Sequence, residues 1–148
     1  MGKAVIVYGS TTGNTESVAR RIGDILTRAG HEVLVQDVRA VQVDQLGQGC
    51  DITLLGSSTW GEDEIEFQED FAPFFDAMDR AELGGRKVAL FGCGDSSYPH
   101  FCGAVDQLEE KVQALGAVVV GTPLRIDGDP VDASAEIDEW ADEVAAAL

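Results

Sequence analysis

Hydroxyl and amide side chains cluster between two glycines near the amino terminus, in the segment Gly9-Ser10-Thr11-Thr12-Gly13-Asn14-Thr15. The segment follows an apolar run and precedes a stretch of helical periodicity, so it is expected at the start of a helix. Unpaired backbone N–H groups and the positive end of a helix dipole favour an anion at such a position, and the hydroxyls supply further donors. The loop therefore favours a bound phosphate, with an ordinary Ser/Thr helix cap as the alternative.

Residues that this loop lacks narrow the chemistry of the phosphate. A loop that hydrolyses nucleoside triphosphates contains Gly-Lys-Ser/Thr, whereas Gly13 is followed here by Asn14 and Thr15. A thiol phosphatase would need a cysteine and an arginine in the loop. A phospho-acceptor domain would need acidic residues at the ends of the first and third strands, where Tyr8 and Ser57 stand. The loop is suited to hold a phosphate group in place.

Two aromatic residues follow other predicted strands, each in a polar loop that contains glycine. Trp60 lies in Ser57-Ser58-Thr59-Trp60-Gly61, and Tyr98 lies in Gly92-Cys93-Gly94-Asp95-Ser96-Ser97-Tyr98. Neither ring belongs to a periodic apolar pattern, which argues against the alternative that both are core residues. Two such rings can stack on the faces of a planar heterocycle.

Apolar segments of alternating type must position these three loops. Strands are predicted at Lys3–Tyr8, Glu32–Asp37, Asp51–Ser57 and Arg86–Cys93, with a fifth split into Val118–Val120 and Leu124–Ile126 around Gly121-Thr122-Pro123. Helical faces are predicted between them at Val18–Ala29, Phe67–Met78 and Val105–Leu115, with a last helix that Asp129-Pro130 starts and a short one near Val43–Leu46. Such alternation predicts an α/β domain, a parallel sheet with helices on both faces. Ligands of these sheets bind beyond the carboxyl ends of the strands, where the three loops lie.

Composition limits the class of protein. A chain of 148 residues with 45% apolar residues suits a single domain, residues 1–148, and a formal net charge of −17 disfavours nucleic acid and anionic membranes as partners. Cys50, Cys93 and Cys102 have neither disulfide-framework nor zinc-site spacing. Without a signal-peptide core or a long apolar run, the chain is expected to be a soluble cytoplasmic protein.

Three loops together carry a resemblance to a known family. Ser10-Thr11-Thr12-Gly13-Asn14-Thr15 matches the flavodoxin phosphate loop T/S-x-T-G-N-T, and the similarity extends over the whole chain. The short interruption of the fifth strand resembles the short-chain flavodoxins. The resemblance implies a five-stranded parallel sheet of order 2-1-3-4-5 and one non-covalent FMN.

The resemblance also implies roles for individual residues. Trp60 and Tyr98 would flank the isoalloxazine ring, and the peptide after the tryptophan, at Gly61, would reorient when the flavin gains an electron. The segment Asp95–Cys102 would hold the pyrimidine edge of the ring, chiefly through backbone groups. The cofactor-binding set is Ser10, Thr11, Thr12, Gly13, Asn14, Thr15, Ser58, Thr59, Trp60, Gly61, Cys93, Gly94, Asp95, Tyr98, Phe101 and Cys102.

The function implied is that of a monomeric, low-potential one-electron carrier without catalytic residues or a metal. Six acids between Glu62 and Asp70 border the expected flavin, where they would disfavour a second negative charge on it and dock basic surfaces of redox partners. Such partners are reductases, oxidoreductases, cytochromes or hydrogenase-type enzymes. An FMN-dependent NAD(P)H:quinone reductase is the alternative, but it would need extra loops or a dimer partner. A phosphate-binding regulatory domain leaves the Trp/Tyr pair unexplained.

Overall fold

Strands and helices alternate along the chain as the apolar pattern predicts. The computed structural model describes residues 2–10, 13–60, 66–94 and 102–148, with Trp60, Glu66 and Phe67 described by their backbone alone. The elements are, in chain order, β1 (Lys3–Gly9), α1 (Asn14–Arg28), β2 (Glu32–Asp37), β3 (Ile52–Ser57), β4 (Thr59–Trp60), β5 (Glu66–Phe67), α2 (Phe71–Ala77), β6 (Lys87–Gly94), α3 (Gly103–Ala114), β7 (Val118–Val119), β8 (Leu124–Asp127) and α4 (Ser134–Ala146).

The main sheet is parallel throughout and runs in the order β2-β1-β3-β6, with β7 and β8 both on the outer side of β6. Counting β7 and β8 as one split strand, this is the predicted order 2-1-3-4-5, which is confirmed. The split follows from Gly121, which has a φ of +69°, and from Pro123, which cannot donate to a ladder.

Two apolar layers cover the sheet. Val18, Ile22 and Leu26 of α1 pack with Ile137 and Trp140 of α4 in one buried cluster. Residues of α2 and α3, among them Phe71 and Leu108, form the second cluster on the other face. All six residues of β3 are buried, as expected for a central strand that is covered on both faces. The core thus fixes the ends of β1, β3 and β6 side by side.

The predicted helix from Phe67 to Met78 begins later than expected. The prediction that Phe67 is helical is wrong, because Phe67 lies in β5. This strand pairs antiparallel with β4 in the register Thr59↔Phe67 and Trp60↔Glu66. The i,i+4 spacing of Phe67 and Phe71 matched a helix by chance, and α2 starts at Phe71. The rest of the predicted face is correct, since Phe71, Phe74 and Met78 are buried.

Two other helices differ in type from the expectation. Asp129 accepts a hydrogen bond from the N–H of Val131, as an N-cap should, but it caps a 3₁₀ helix at Pro130–Ala133 that leads into α4. The short helix near Val43 is a 3₁₀ turn, Val43–Gln45. Within the described ranges, none of the helices is long and apolar enough to cross a membrane.

Candidate functional site

The loop after β1 leads into α1 through Gly13. Gly13, the N-cap residue, has a φ of +93°, in the left-handed region that glycine tolerates best. Its N–H donates to Ser10 Oγ at 3.1 Å, and its carbonyl accepts from the N–H of Ser17 at 2.9 Å. No side chain caps α1 at this residue, so the ordinary-cap alternative is not supported by the described part of the loop. Thr11 and Thr12 lie outside the described residues.

Thr15 is the most informative residue of this loop. Its side chain is buried, with 1% of the residue exposed, and its Oγ1 has no hydrogen-bond partner among the residues described. A buried hydroxyl without a partner is costly, by about 1–3 kcal/mol, which favours a ligand atom as its partner. Asn14 opens the helix directly before it. Hydroxyl and backbone N–H donors at an uncapped helix start fit a phosphate group.

The loop after β3 is tied to residues further along the chain. Ser57 Oγ donates to the Ser58 carbonyl at 2.9 Å, and both oxygens lie 3.2 Å from the backbone nitrogen of Gln68, which donates to them. The antiparallel pair of β4 and β5 follows directly, with Trp60 opposite Glu66. Gly61 lies outside the described residues, as does the side chain of Trp60.

Thr59 contacts protein rather than open space. Its Oγ1 accepts a hydrogen bond of 3.0 Å from the backbone N–H of Ala104, in the first turn of α3. The predicted role of this side chain toward the cofactor remains a prediction. The observed bond joins the loop after β3 to the helix that follows β6.

The loop after β6 begins with a close approach of two backbones. A Cβ atom at Gly94 would lie 3.0 Å from the nitrogen and 3.1 Å from the sulfur of Cys102, so the contact favours glycine. Cys102 precedes α3 with a φ of +50°. The carbonyl of Gly94 accepts from the N–H of Gly128 at 2.9 Å. Asp95, Tyr98 and Phe101 lie outside the described residues.

Both cysteines of this region are held as neutral thiols. Burial raises the pKa of the Cys93 thiol to about 11; the Thr15 hydroxyl lies close enough to oppose this rise in part, although it makes no hydrogen bond of normal geometry to the thiol. Burial raises the pKa of Cys102 to about 12, and the nearby Cys93 adds to the effect. The Cys102 thiol points at the carbonyls of Gly92 and Ile126, 3.8 Å from each. Neutral thiols in these positions serve packing better than chemistry.

Cations near the carboxyl ends of the strands are neutralised by ion pairs. Arg20 pairs with Glu16 at 2.8 Å, Arg39 with Asp37 at 2.9 Å, and Arg125 with Asp106. In the described part of the chain, the cations that lack an ion pair lie at or next to the opposite ends of the strands: Lys3, Arg28, Arg86 and Lys87. The described part of the site therefore offers hydroxyl and backbone donors but no free positive side chain.

One residue of the site was missed by the sequence analysis. Gln68 is buried at the junction of the three elements that end at the site, β1, β3 and β5. The signal was present, since Gln68 is the one amide side chain between Glu62 and Asp76. The structure brings together Ser10, Gly13 and Thr15 in one loop, and Thr59, Gly94 and Cys102 around the start of α3.

Comparison with known proteins agrees with the geometry. The sequence model of the Flavodoxin family matches residues 6–140. The chain is 51% identical over 145 residues to the Flavodoxin of Maridesulfovibrio salexigens, covering 98% of each protein. It is 47% identical over 148 residues, the whole of both proteins, to that of Nitratidesulfovibrio vulgaris strain Miyazaki F. Its fold resembles that of oxidised Flavodoxin 1 from Bacillus cereus with a TM-score of 0.89, 36% identity and 99% coverage of both chains.

Proposed function

Because this chain belongs to the flavodoxin family, we propose that it is a low-potential carrier that takes up and delivers single electrons between larger redox enzymes. Flavodoxins are electron-transfer proteins whose cofactor is FMN. The bound flavin supplies the redox chemistry, because its ring accepts and releases electrons one at a time. What this chain contributes is binding, shielding and electrostatics.

The observation that carries the assignment is the unpartnered Thr15 hydroxyl at the start of α1. We assign the FMN phosphate to this loop, with Ser10, Thr11, Thr12, Gly13, Asn14 and Thr15 as its ligands. The helix dipole and the donors can hold a dianion without a basic side chain. The phosphate charge then stays uncompensated by protein cations, since Arg20 is already paired with Glu16.

The ring is assigned to the space between the loops after β3 and β6. Trp60 and Tyr98 would stack on its two faces, and Ser58, Thr59 and Gly61 would line one side. Cys93, Gly94, Asp95, Phe101 and Cys102 would line the pyrimidine edge. The bond between Thr59 and Ala104 supports this assignment, because it fixes the two loops relative to each other.

The negative charge around the site should give the bound flavin a low reduction potential for its second electron. The site lies among acids, and its described cations are paired, so adding negative charge to the ring is disfavoured. The acids from Glu62 to Asp70 would also attract a partner with a basic surface, at a rate that falls as salt rises. The partners proposed are reductases, oxidoreductases, cytochromes or hydrogenase-type enzymes. We propose that the protein is a monomer and that it is cytoplasmic; the three free thiols support the second of these.

Stepwise reduction of the purified protein tests the proposal. The protein should bind FMN in a 1:1 ratio and should take up electrons from dithionite in two resolved one-electron stages. Absence of bound FMN would contradict the cofactor assignment. Rapid oxidation of NAD(P)H by a quinone, catalysed by the protein alone, would instead support the quinone reductase alternative.

A charge-matched pair of variants tests the docking surface. Glu62→Gln, Asp63→Asn and Glu64→Gln together should slow electron transfer to a basic redox protein at low ionic strength. The control is Glu110→Gln, Asp142→Asn and Glu143→Gln, which removes the same charge from exposed positions near the ends of α3 and α4. Equal rates for the two triple variants would mean that net charge, not the acidic cluster, governs the encounter.

A further inference from the structure

Gln68 stands where three segments of the site meet. Its residue is only 2% exposed. Its backbone N–H donates to Ser57 Oγ and to the Ser58 carbonyl, which fixes the base of the β4–β5 hairpin to the end of β3. Its Oε1 accepts from the N–H groups of Asp70 and Phe71 at 3.0 and 3.1 Å, which fixes the start of α2.

The same side chain touches the base of the phosphate loop. A Cβ atom at Gly9 would lie 2.6 Å from Gln68 Oε1 and 2.9 Å from Phe71 Cβ, so the amide packs against the bare Cα of the last residue of β1. Ser10 follows directly. The side-chain amide of Gln68 therefore lies against the strand that carries the phosphate loop, while the backbone N–H of the same residue holds the end of β5 to the end of β3.

A series of hydrogen bonds and ion pairs links the Gln68 side chain to β2, the strand at the edge of the sheet. Gln68 Nε2 donates to Asp70 Oδ2 at 3.0 Å, and that carboxylate lies 3.9 Å from Arg39 Nε. Arg39 in turn pairs with Asp37, the last residue of β2. The Gln68 amide is thus held on both its oxygen and its nitrogen, and its orientation is fixed by the protein itself.

We propose that Gln68 is a positioning residue that sets the phosphate loop relative to the β4–β5 pair, and thereby sets the reduction potentials of bound flavin. The proposal rests on the proposed function. Because the backbone of Gln68 bonds to the end of β3 and its side chain packs against Gly9, a change in this side chain is expected to shift the β4–β5 pair relative to β1. A site loosened by a fraction of an ångström would still bind flavin but would discriminate less between its redox states.

The test is Gln68→Met, which keeps the length of the side chain and removes both its donor and its acceptor. FMN affinity should fall by about tenfold or more. The separation between the two one-electron potentials should change by about 59 mV, which corresponds to a tenfold change in the equilibrium constant among the flavin redox states. Val144→Ala is the control, because Val144 is buried in α4 on the other face of the sheet and its truncation lowers stability without touching the site.

The outcomes separate the two proposals. A wild-type protein that does not bind FMN would refute the proposed function. A wild-type protein that binds FMN, together with Gln68→Met potentials equal to those of Val144→Ala, would refute the role of Gln68. If urea unfolding shows that Gln68→Met does not fold, Ser57→Ala serves instead, since it removes one acceptor of the Gln68 N–H. A smaller change in the separation between the two potentials is then expected, and unchanged potentials would overturn the proposal.

Discussion

The backbone N–H of Ala104 donates to Thr59 Oγ1 at 3.0 Å and so joins the loop after β3 to the first turn of α3. This N–H belongs to the first turn of a helix, where no intrahelical acceptor is available. The side chain of Thr59 therefore acts as a cap supplied from a distant part of the chain. It holds together the two loops between which the flavin ring is proposed to lie.

Thr59→Val should remove this cap while it preserves the shape of the side chain. We expect a loss of about 1–2 kcal/mol in the free energy of unfolding of the apoprotein, because the Ala104 N–H loses its partner. Thr59→Ser keeps the hydroxyl and should stay near the wild-type value. Urea unfolding of the three apoproteins measures both, and equal stability of the valine and serine variants would contradict the capping role.

Thr15→Val should affect the cofactor and not the apoprotein. Removing a buried hydroxyl that has no partner among the described residues should leave apoprotein stability unchanged or slightly higher. FMN affinity should fall by about ten- to a hundredfold, since a bond to a charged group contributes about 1.5–3 kcal/mol. Riboflavin, which lacks the phosphate, should bind the variant as it binds the wild type. A parallel loss for riboflavin would place Thr15 outside the phosphate site.

The sequence predicted the loop that contains Thr15, but it could not predict how Thr59 and Gln68 are used. Strand positions and layer composition follow from local patterns, because the six residues of β3 and the periodic face of α1 report their burial directly, whereas the strand order was implied by the family resemblance. A cap between Thr59 and Ala104 joins positions 45 residues apart, and no local pattern encodes it. Phe67 shows the opposite failure, since helical spacing there was overridden by pairing of β5 with β4.

Cysteine reactivity should follow burial. Cys93 and Cys102 have pKa values raised to about 11 and about 12, so their thiolates are scarce at neutral pH. Cys50 is half-buried and its sulfur lies 3.4 Å from Thr53 Oγ1. At pH 8 iodoacetamide should label Cys50 well before the other two, and 6 M urea should equalise the three. Peptide mapping by mass spectrometry measures the order, and early labelling of Cys102 would contradict it.

Gly61→Ala should lower the first reduction potential of bound FMN. The family resemblance places at this position a peptide that reorients when the flavin gains an electron, and a side chain makes the required backbone angles less accessible. The second potential should change less. Spectroelectrochemical titration measures both, with Gly30→Ala as a control for a glycine-to-alanine change away from the site, since Gly30 has a positive φ and lies at the far end of α1. An unchanged first potential in Gly61→Ala would refute this role.

Asp37 should give a pH-dependent contribution to stability. Arg39 donates to this carboxylate from Nε and Nη2, at 3.1 and 2.9 Å, and these bonds hold the pKa of Asp37 below its ordinary value. A group with a lowered pKa in the folded state stabilises the protein above its unfolded pKa, near 4, and loses that effect as pH falls through the folded pKa.

Comparison of wild type with Asp37→Asn in the apoprotein tests this sign. The difference in unfolding free energy should be below about 1 kcal/mol at pH 7, because the pair is partly exposed to solvent. It should shrink as the pH is lowered below about 4. The backbone bond from the Arg39 N–H can survive in the asparagine variant, so the 3₁₀ turn at Val38–Ala40 should persist. In an Arg39→Gln background the pH dependence at Asp37 should become smaller, because only the backbone bond then remains, and an undiminished dependence would assign the effect to another carboxylate.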